Sequence, residues 1–446
     1  MERKVSKLPS DPGPAAWNAL LGPAREYPSL DADTTADIVV IGAGFAGLAA
    51  ARRLLQLDPS QKISLLEARC IAEGPAGRNS GFMIDIPHKL DSKDYASNRD
   101  DDLRRIAMNR QAIDFNRAAA EEYGMADETF VLSGKINAAA TRRGMINNQN
   151  YAHHLFKLGE KFELLDADAM RQICGTSYYQ GGLFTPGTAM IQPALFIRSL
   201  ADGLANSGVS IFENSPAKSL NPSGSGWTIK TDKASVTAGK VVLATNGHAE
   251  SFGFFQRQLM HIYLYASITR PLTGEEGTAL GGQANWGFTP ADPLGSTIRK
   301  ISGGGGERII VRNRFTWAPG RTVSDNKLAA VGHVHDRSFK DRFPMLPNVT
   351  MEHRWGGLLC LSRNGVPAFG ELEPNLYSAC CQNGLGTVMG TLSGKLAAEL
   401  ALGEKSESLD TMQAFPEPSK LPPEPFSSIG ANAFMRWSEF RAGKEL

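Results

Sequence analysis

Three glycines carry the first chemistry of this sequence. Gly42, Gly44 and Gly47 form G-x-G-x-x-G within Asp37-Ile-Val-Val-Ile-Gly-Ala-Gly-Phe-Ala-Gly47. The apolar run before them reads as a buried strand. The small residues from Phe45 and Ala46 to about Leu57 read as a helix, and Ile63-Ser-Leu-Leu-Glu67 as a second strand. In that setting the glycines suit a dinucleotide. Gly42 permits the tight turn, Gly44 lets the backbone approach a pyrophosphate, and Gly47 lets helix and sheet pack closely. The phosphate charge then sits at the helix N-terminus. Glu67, followed by Ala68 and Arg69, ends the second strand where a carboxylate accepts hydrogen bonds from a ribose and repels a 2′-phosphate.

Two further clusters lie where an extended dinucleotide continues. One is Gly77-Arg-Asn-Ser-Gly81. Arg78 is expected to pair with the pyrophosphate in a planar, bidentate way, and Gly81 to let the main chain pass close to a flat ring. The other is Gly384-Leu-Gly-Thr-Val388, opening a helix from Val388 to Leu400 and aiming first-turn N–H dipoles at developing negative charge.

The elements that must position these residues read as two interleaved domains. The expected fold class is α/β, a Rossmann-like dinucleotide domain interleaved with an α+β domain on a mainly antiparallel sheet. The dinucleotide domain takes residues 37–95, 186–252 and 354–410; the second domain takes 96–185 and 253–353. An arm covers 1–36 and a Pro-rich tail 411–446. Leu103 to Tyr123 and Pro193 to Leu204 read as helices. Val209 to Phe212, Trp227 to Ile229, Ser235 to Thr237 and Val241 to Thr245 read as strands, and 253–353 as antiparallel strands and loops.

Composition removes several function classes. A chain of 446 residues can bury a large core without disulfides. Its 47 basic and 46 acidic residues leave a net charge of +1, which draws it to neither nucleic acid nor an anionic membrane. Five scattered cysteines with no C-x-x-C pair argue against a zinc ribbon and fit a reduced, cytoplasmic protein. No apolar run is long enough for a transmembrane segment.

The motifs together resemble the D-amino-acid oxidase and glycine/sarcosine oxidase superfamily of FAD flavoproteins, closest to its γ-glutamylputrescine oxidase branch. The resemblance rests on the Asp37–Gly47, Leu65–Glu67 and Gly77–Gly81 stretches. It extends to Val241-Val-Leu-Ala-Thr-Asn-Gly247, Trp355-Gly-Gly357 with Gly365-Val-Pro-Ala-Phe-Gly370, and Asn383-Gly-Leu-Gly386. It implies that Ala217 touches the adenine, that Thr245, Asn246 and Gly247 close the adenine–ribose side, and that Gly384, Leu385, Gly386, Thr387 and Val388 line the flavin. Sarcosine oxidases of this kind attach the flavin to a cysteine at the position matching Gly357. Cys360 is out of phase, so FAD is expected to bind non-covalently, with attachment at Cys360 the alternative.

The implied activity is oxidation of the C–N bond of an amine or amino acid to an imine, which water then hydrolyses. The substrate is expected to be a secondary or carboxylate-bearing amine, with O2 or another electron acceptor closing the cycle. An NAD-dependent dehydrogenase and a non-catalytic flavin-binding protein are the rival readings. Candidate substrate residues are His88 in the loop after the Arg78 cluster, His261 and Tyr263 (with Tyr265) on one strand face, and Arg308 and Arg312 (with Arg314) on another. The relatives place a lysine and a histidine four residues apart on the matching strand. Here Arg308 and Arg312 resemble those positions, and the missing lysine leaves a dehydrogenase open. An inward arginine could hold a carboxylate; the other reading is a solvent-facing one.

Overall fold

The computed structural model describes residues 2–87 and 98–446. Its dinucleotide half is a nine-stranded sheet with a parallel centre. Ser210–Phe212, Ile63–Leu66, Thr34–Ile41, Ser235–Leu243 and Leu376–Cys380 lie side by side in that order. Ile38 to Ile41 and Val241 to Leu243 are buried on both faces, which is why they read as unbroken apolar runs. The helices Phe45–Leu57 and Met389–Leu402 cross over this sheet in close contact. A Cβ on Gly394 would stand 1.9 Å from the Ala46 carbonyl oxygen, so only glycine permits that approach.

The second half is an eight-stranded sheet. Leu259–Thr269 runs antiparallel to both Arg308–Trp317 and Met351–Ser362. Beyond Arg308–Trp317 come Thr297–Ile301, Trp286–Pro290, Lys135–Ala139, Gly181–Thr185 and Glu163–Asp166. One face packs on the dinucleotide half: Ala266, Ile268, Ile310 and Trp355 share a cluster with Trp17, Phe45 and Leu48. On the other face, Phe288, Ile298, Ile309 and Val311 pack with Phe339 and Phe343 of the Asp325–Arg342 helix and its C-cap.

Several expectations shift. Ser235 to Leu243 is one strand, continuous through Gly239, where two were expected. The boundary at 354 would cut the Met351–Ser362 strand, which pairs along its length with Leu259–Thr269, so the chain returns to the dinucleotide half only after Ser362. The polar helices Arg142–Leu158 and Asp325–Arg342 escaped notice because their apolar stripes are narrow. Each has a side-chain N-cap, Thr141 accepting from Gly144 N and Ser324 from Lys327 N. The tail holds the Phe426–Ala442 helix, tied to the sheet by Trp317 Nε1 donating to Ser428 Oγ at 2.9 Å. At its end the Glu445 carboxylate accepts from the amides of Ala140 and Thr141. Among the described residues no helix is long and apolar enough to cross a membrane.

Candidate active site

The first strand delivers its glycines as a turn. Gly42 has φ +103°, and a Cβ there would meet the Ala244 carbonyl oxygen at 2.8 Å. A Cβ on Gly47 would lie 1.7 Å from the Gly42 carbonyl oxygen. Gly44 N-caps the helix, and a Cβ there would meet only the Ala76 methyl, at 3.4 Å, which leaves its main chain open to a ligand. Phe45 and Ala46 begin the helix. Glu67 closes the second strand, its carboxylate accepting from Ala43 N at 2.9 Å and Arg69 N at 3.1 Å. Burial pushes that carboxyl above the usual carboxylate range, and the two amides oppose the shift. Ser215 N donates to the Glu67 carbonyl at 2.8 Å, which brings the segment leading to buried Ala217 beside the same strand end.

Across the sheet, Thr245 to Gly247 begin a 3-10 turn after the Ser235–Leu243 strand. Asn246 sits at φ +49° with a buried Oδ1 that has no partner among the described residues. Gly384, at φ +84°, turns the chain into the Met389–Leu402 helix. Leu385 and Val388 amides are bonded within the turn, to Gln382 and Leu385 carbonyls. Thr387 Oγ1 donates to the Phe82 carbonyl at 2.7 Å, and a Cβ on Gly386 would meet nothing within 4 Å. The segment thus touches the Phe82–Met83 strand at Thr387 and leaves open space at Gly386.

The Arg78 cluster is built differently from the expectation. The Arg78 guanidinium is buried and spent on main-chain carbonyls: Nε on Glu73 at 2.7 Å, Nη1 on Gly13 at 3.0 Å and on Pro12 and Gly356 at 3.2 Å. It is a clamp, and the pyrophosphate role is corrected to one of shaping the loop. Arg69 is similarly occupied, 2.6 Å from Asp11. Asn79 closes the loop on itself, accepting from Gly81 N at 2.8 Å and donating to Ala76 at 2.6 Å. Gly81 has φ +79°, and a Cβ there would strike the Arg299 guanidinium at 2.1 Å and the Ile191 carbonyl at 2.4 Å. Those neighbours, rather than a ring, demand the glycine. Arg299 Nη1 donates to Ile191 at 2.7 Å and to the Ser80 carbonyl at 3.2 Å.

The substrate-side residues separate. His88 lies outside the described residues. Tyr263 and Tyr265 lie on the face turned to the Asp325–Arg342 helix, packed with Leu328 and Val331. Tyr263 Oη donates to the Ser10 carbonyl at 2.6 Å. His261 is 2.8 Å from Glu250, which also holds Arg321 at 3.1 Å. His261 and Tyr263 are therefore corrected to supports of the sheet and arm. Arg308 is also corrected: it is bound by Glu352 and by the Thr269 and Gly305 carbonyls, the latter two at 2.7 Å.

Arg312 meets an aromatic ring, its guanidinium 5.6 Å from the Phe315 centroid. It shares a sheet face with Ile310, toward the dinucleotide half, and lies opposite Ala266 and Thr297. Its only side-chain hydrogen bond is Nη1 to Thr297 Oγ1 at 3.2 Å, and no carboxylate pairs with it among the described residues. The side chain is half-buried, and that desolvation lowers its pKa from the usual arginine range. The alternation expected to continue to Arg314 breaks there. Arg314 sits at φ +64° in a bulge opposite Leu264 and Tyr265, and turns to Glu439 at 2.5 Å. Sequence reasoning missed Arg299 and Lys135. The signal was there: each is a polar residue alternating with isoleucine in a short strand, Thr297-Ile-Arg-Lys-Ile301 and Lys135-Ile-Asn137.

These residues fit an FAD. The glycine turn at a helix N-terminus, the Glu67 carboxylate beside it, the buried Asn246 oxygen without a partner among the described residues and the uncrowded main chain at Gly386 are what such a dinucleotide needs. Known proteins agree with that geometry. Residues 37–400 match the family model described as DAO, FAD dependent oxidoreductase. The chain is 25% identical over 403 residues to a Haemophilus influenzae protein named "Probable oxidoreductase OrdL", covering 88% of this chain and 89% of that one. It is 23% identical over 429 residues to the γ-glutamylputrescine oxidoreductase of Escherichia coli, covering 91% and 93%. Glycine oxidase from Geobacillus kaustophilus shares the fold with a TM-score of 0.70 at 18% identity, over 87% of this chain and all of that one. With a family model spanning both strand-to-helix glycine turns and the sheet between them, the chain belongs to the DAO family of FAD dependent oxidoreductases.

Proposed function

We propose that the protein oxidises the C–N bond of a carboxylate-bearing amine or amino acid, with non-covalent FAD. When bound, FAD supplies the acceptor for a hydride from the carbon beside the nitrogen. The chain's own part is to hold that carbon in place and keep water away. Arg312 carries the reading: a half-buried guanidinium with no carboxylate partner among the described residues, on the sheet face turned to the dinucleotide half. A substrate carboxylate there would restore its missing counter-charge, and a charge-assisted hydrogen bond contributes about 1.5–3 kcal/mol. Released imine would be hydrolysed by water. The five free cysteines fit a reducing, cytoplasmic setting.

Arg312→Ala is expected to raise the apparent substrate constant at least tenfold, about 1.4 kcal/mol, with FAD content unchanged. An anaerobic panel of amines and amino acids, read by bleaching of the flavin colour, supplies the substrate. Equal constants in wild type and variant would remove the anchor.

Non-covalent binding rests on the strand that carries Cys360. Cys360 is three residues from Gly357 and so points to the opposite face, where it is buried beside Cys380 and Cys381. Burial and those neighbouring thiols push its thiol well up, which disfavours the thiolate needed for attachment. Acid or heat is expected to release all the flavin as intact FAD into the supernatant. Yellow colour remaining with the precipitated protein would contradict this.

A further inference from the structure

Four strands of the eight-stranded sheet set a row of polar side chains side by side on the Arg312 face. Arg312 lies opposite Thr297 and donates to it at 3.2 Å. Phe288 lies opposite Ile298, which sets Thr289 beside Thr297. Thr289 lies next to Asn137, and its Oγ1 donates to Asn137 Oδ1 at 2.8 Å. Lys135 turns its Nζ onto the same Asn137 oxygen and stands 3.4 Å from Thr289 Oγ1. Thr185 lies directly opposite Lys135.

The row begins and ends on a cation and contains no carboxylate. Lys135 is buried and has no ion pair among the described residues. Asp85 is an acid close enough to act on it, but its carboxylate is engaged by Arg110 at 3.0 Å and Thr188 at 3.4 Å. Burial pushes the Lys135 ammonium down to about 7. Asn137 Nδ2 and Thr185 Oγ1 are buried without a partner among the described residues. Unmet buried donors beside a desolvated ammonium cost free energy, and an anion would offset that cost.

We propose that the Lys135 end of this row is a second anion subsite, continuous with Arg312, so that the protein takes an amine carrying two acidic groups. This rests on reading Arg312 as the first carboxylate anchor. The two cations stand three interstrand spacings apart with a two-residue offset along the strand, about 16 Å between backbones. Both side chains reach inward from there, so the acids of the ligand are separated by several bonds.

The test uses the FAD-loaded protein and two inert probes, glutarate and valerate, which share a five-carbon chain and differ by one carboxylate. Binding is read from the perturbed flavin spectrum. Glutarate is expected to bind at least tenfold more tightly than valerate. Lys135→Met should abolish that difference while leaving valerate affinity and FAD content unchanged, and Lys135→Arg should retain it. Glutarate no tighter than valerate in wild type overturns the subsite. So does a Lys135→Met variant that weakens both probes equally or neither. If Lys135→Met fails to fold, the wild-type comparison together with Lys135→Arg decides. Arg312→Ala separates the two readings: it should weaken both probes, and if it weakens neither, the anchor fails while the glutarate preference still judges Lys135.

Discussion

Gly47→Ala is expected to yield a colourless protein destabilised by about 3 kcal/mol. The added methyl would stand 1.7 Å from the Gly42 carbonyl oxygen and 2.9 Å from its carbon, and Val40 closes the space at 3.3 Å. The first two obstacles are backbone, so no rotamer relieves them. Either the helix Phe45–Leu57 lifts from the sheet or the turn opens, and both displace the amides meant for the pyrophosphate. Gly430→Ala is the control, because a methyl there meets nothing within 4 Å. The measurements are the flavin-to-protein absorbance ratio and the denaturant midpoint. A yellow Gly47→Ala protein with the Gly430→Ala midpoint would show that the turn is not held as described.

Trp17→Ala is expected to cost about 3–5 kcal/mol and to lower FAD occupancy. Trp17 is 1% exposed and belongs to the cluster between the two halves. Its Nε1 donates to the Asn79 carbonyl at 2.8 Å, and the Arg299 guanidinium lies 5.3 Å over its ring. Removal would open a cavity under the 77–81 loop and leave the Asn79 carbonyl unpaired. Trp17→Phe should recover most of the packing and lose about 1 kcal/mol for the hydrogen bond. Chemical unfolding of the three proteins checks the order. If Trp17→Phe is as damaged as Trp17→Ala, the hydrogen bond dominates and the packing argument fails.

The dinucleotide half was legible because its signals are local. Ile38 to Ile41 must be a buried strand, Gly42 to Gly47 must turn into a helix, and Glu67 follows at the end of the next strand. Each statement needs only neighbouring residues. The other half depends on which sheet face meets which partner. Alternation correctly set Arg308, Ile310 and Arg312 on one face. It could not show that Arg308 would meet Glu352, that the face of Tyr263 would meet the Asp325–Arg342 helix, or that a bulge would turn Arg314 to Glu439. Arg78 shows the same limit. An arginine after a second Rossmann strand suggests phosphate, yet its partners Pro12, Gly13 and Gly356 come from stretches that no local pattern connects to it. Nothing near Lys135 and Asn137 in the chain announces Thr289, which reaches them from a strand far along the sequence.

The Arg78 clamp also sets an order of events during synthesis. Its carbonyl partners at Pro12 and Gly13 are made before it, but Gly356 follows 278 residues later. At about 5–20 residues per second the ribosome needs roughly 15–55 s to supply it. Through that interval the 77–81 loop has neither its last carbonyl nor the Trp355 indole, whose Nε1 caps the Arg78 carbonyl at 2.9 Å. The strand Leu376–Cys380, which extends the sheet of Thr34–Ile41 and Ile63–Leu66, is not yet made either. The loop that Arg78 anchors therefore stays incompletely held through that interval. Only once the 356 region has been made can the clamp close and the loop take its final shape.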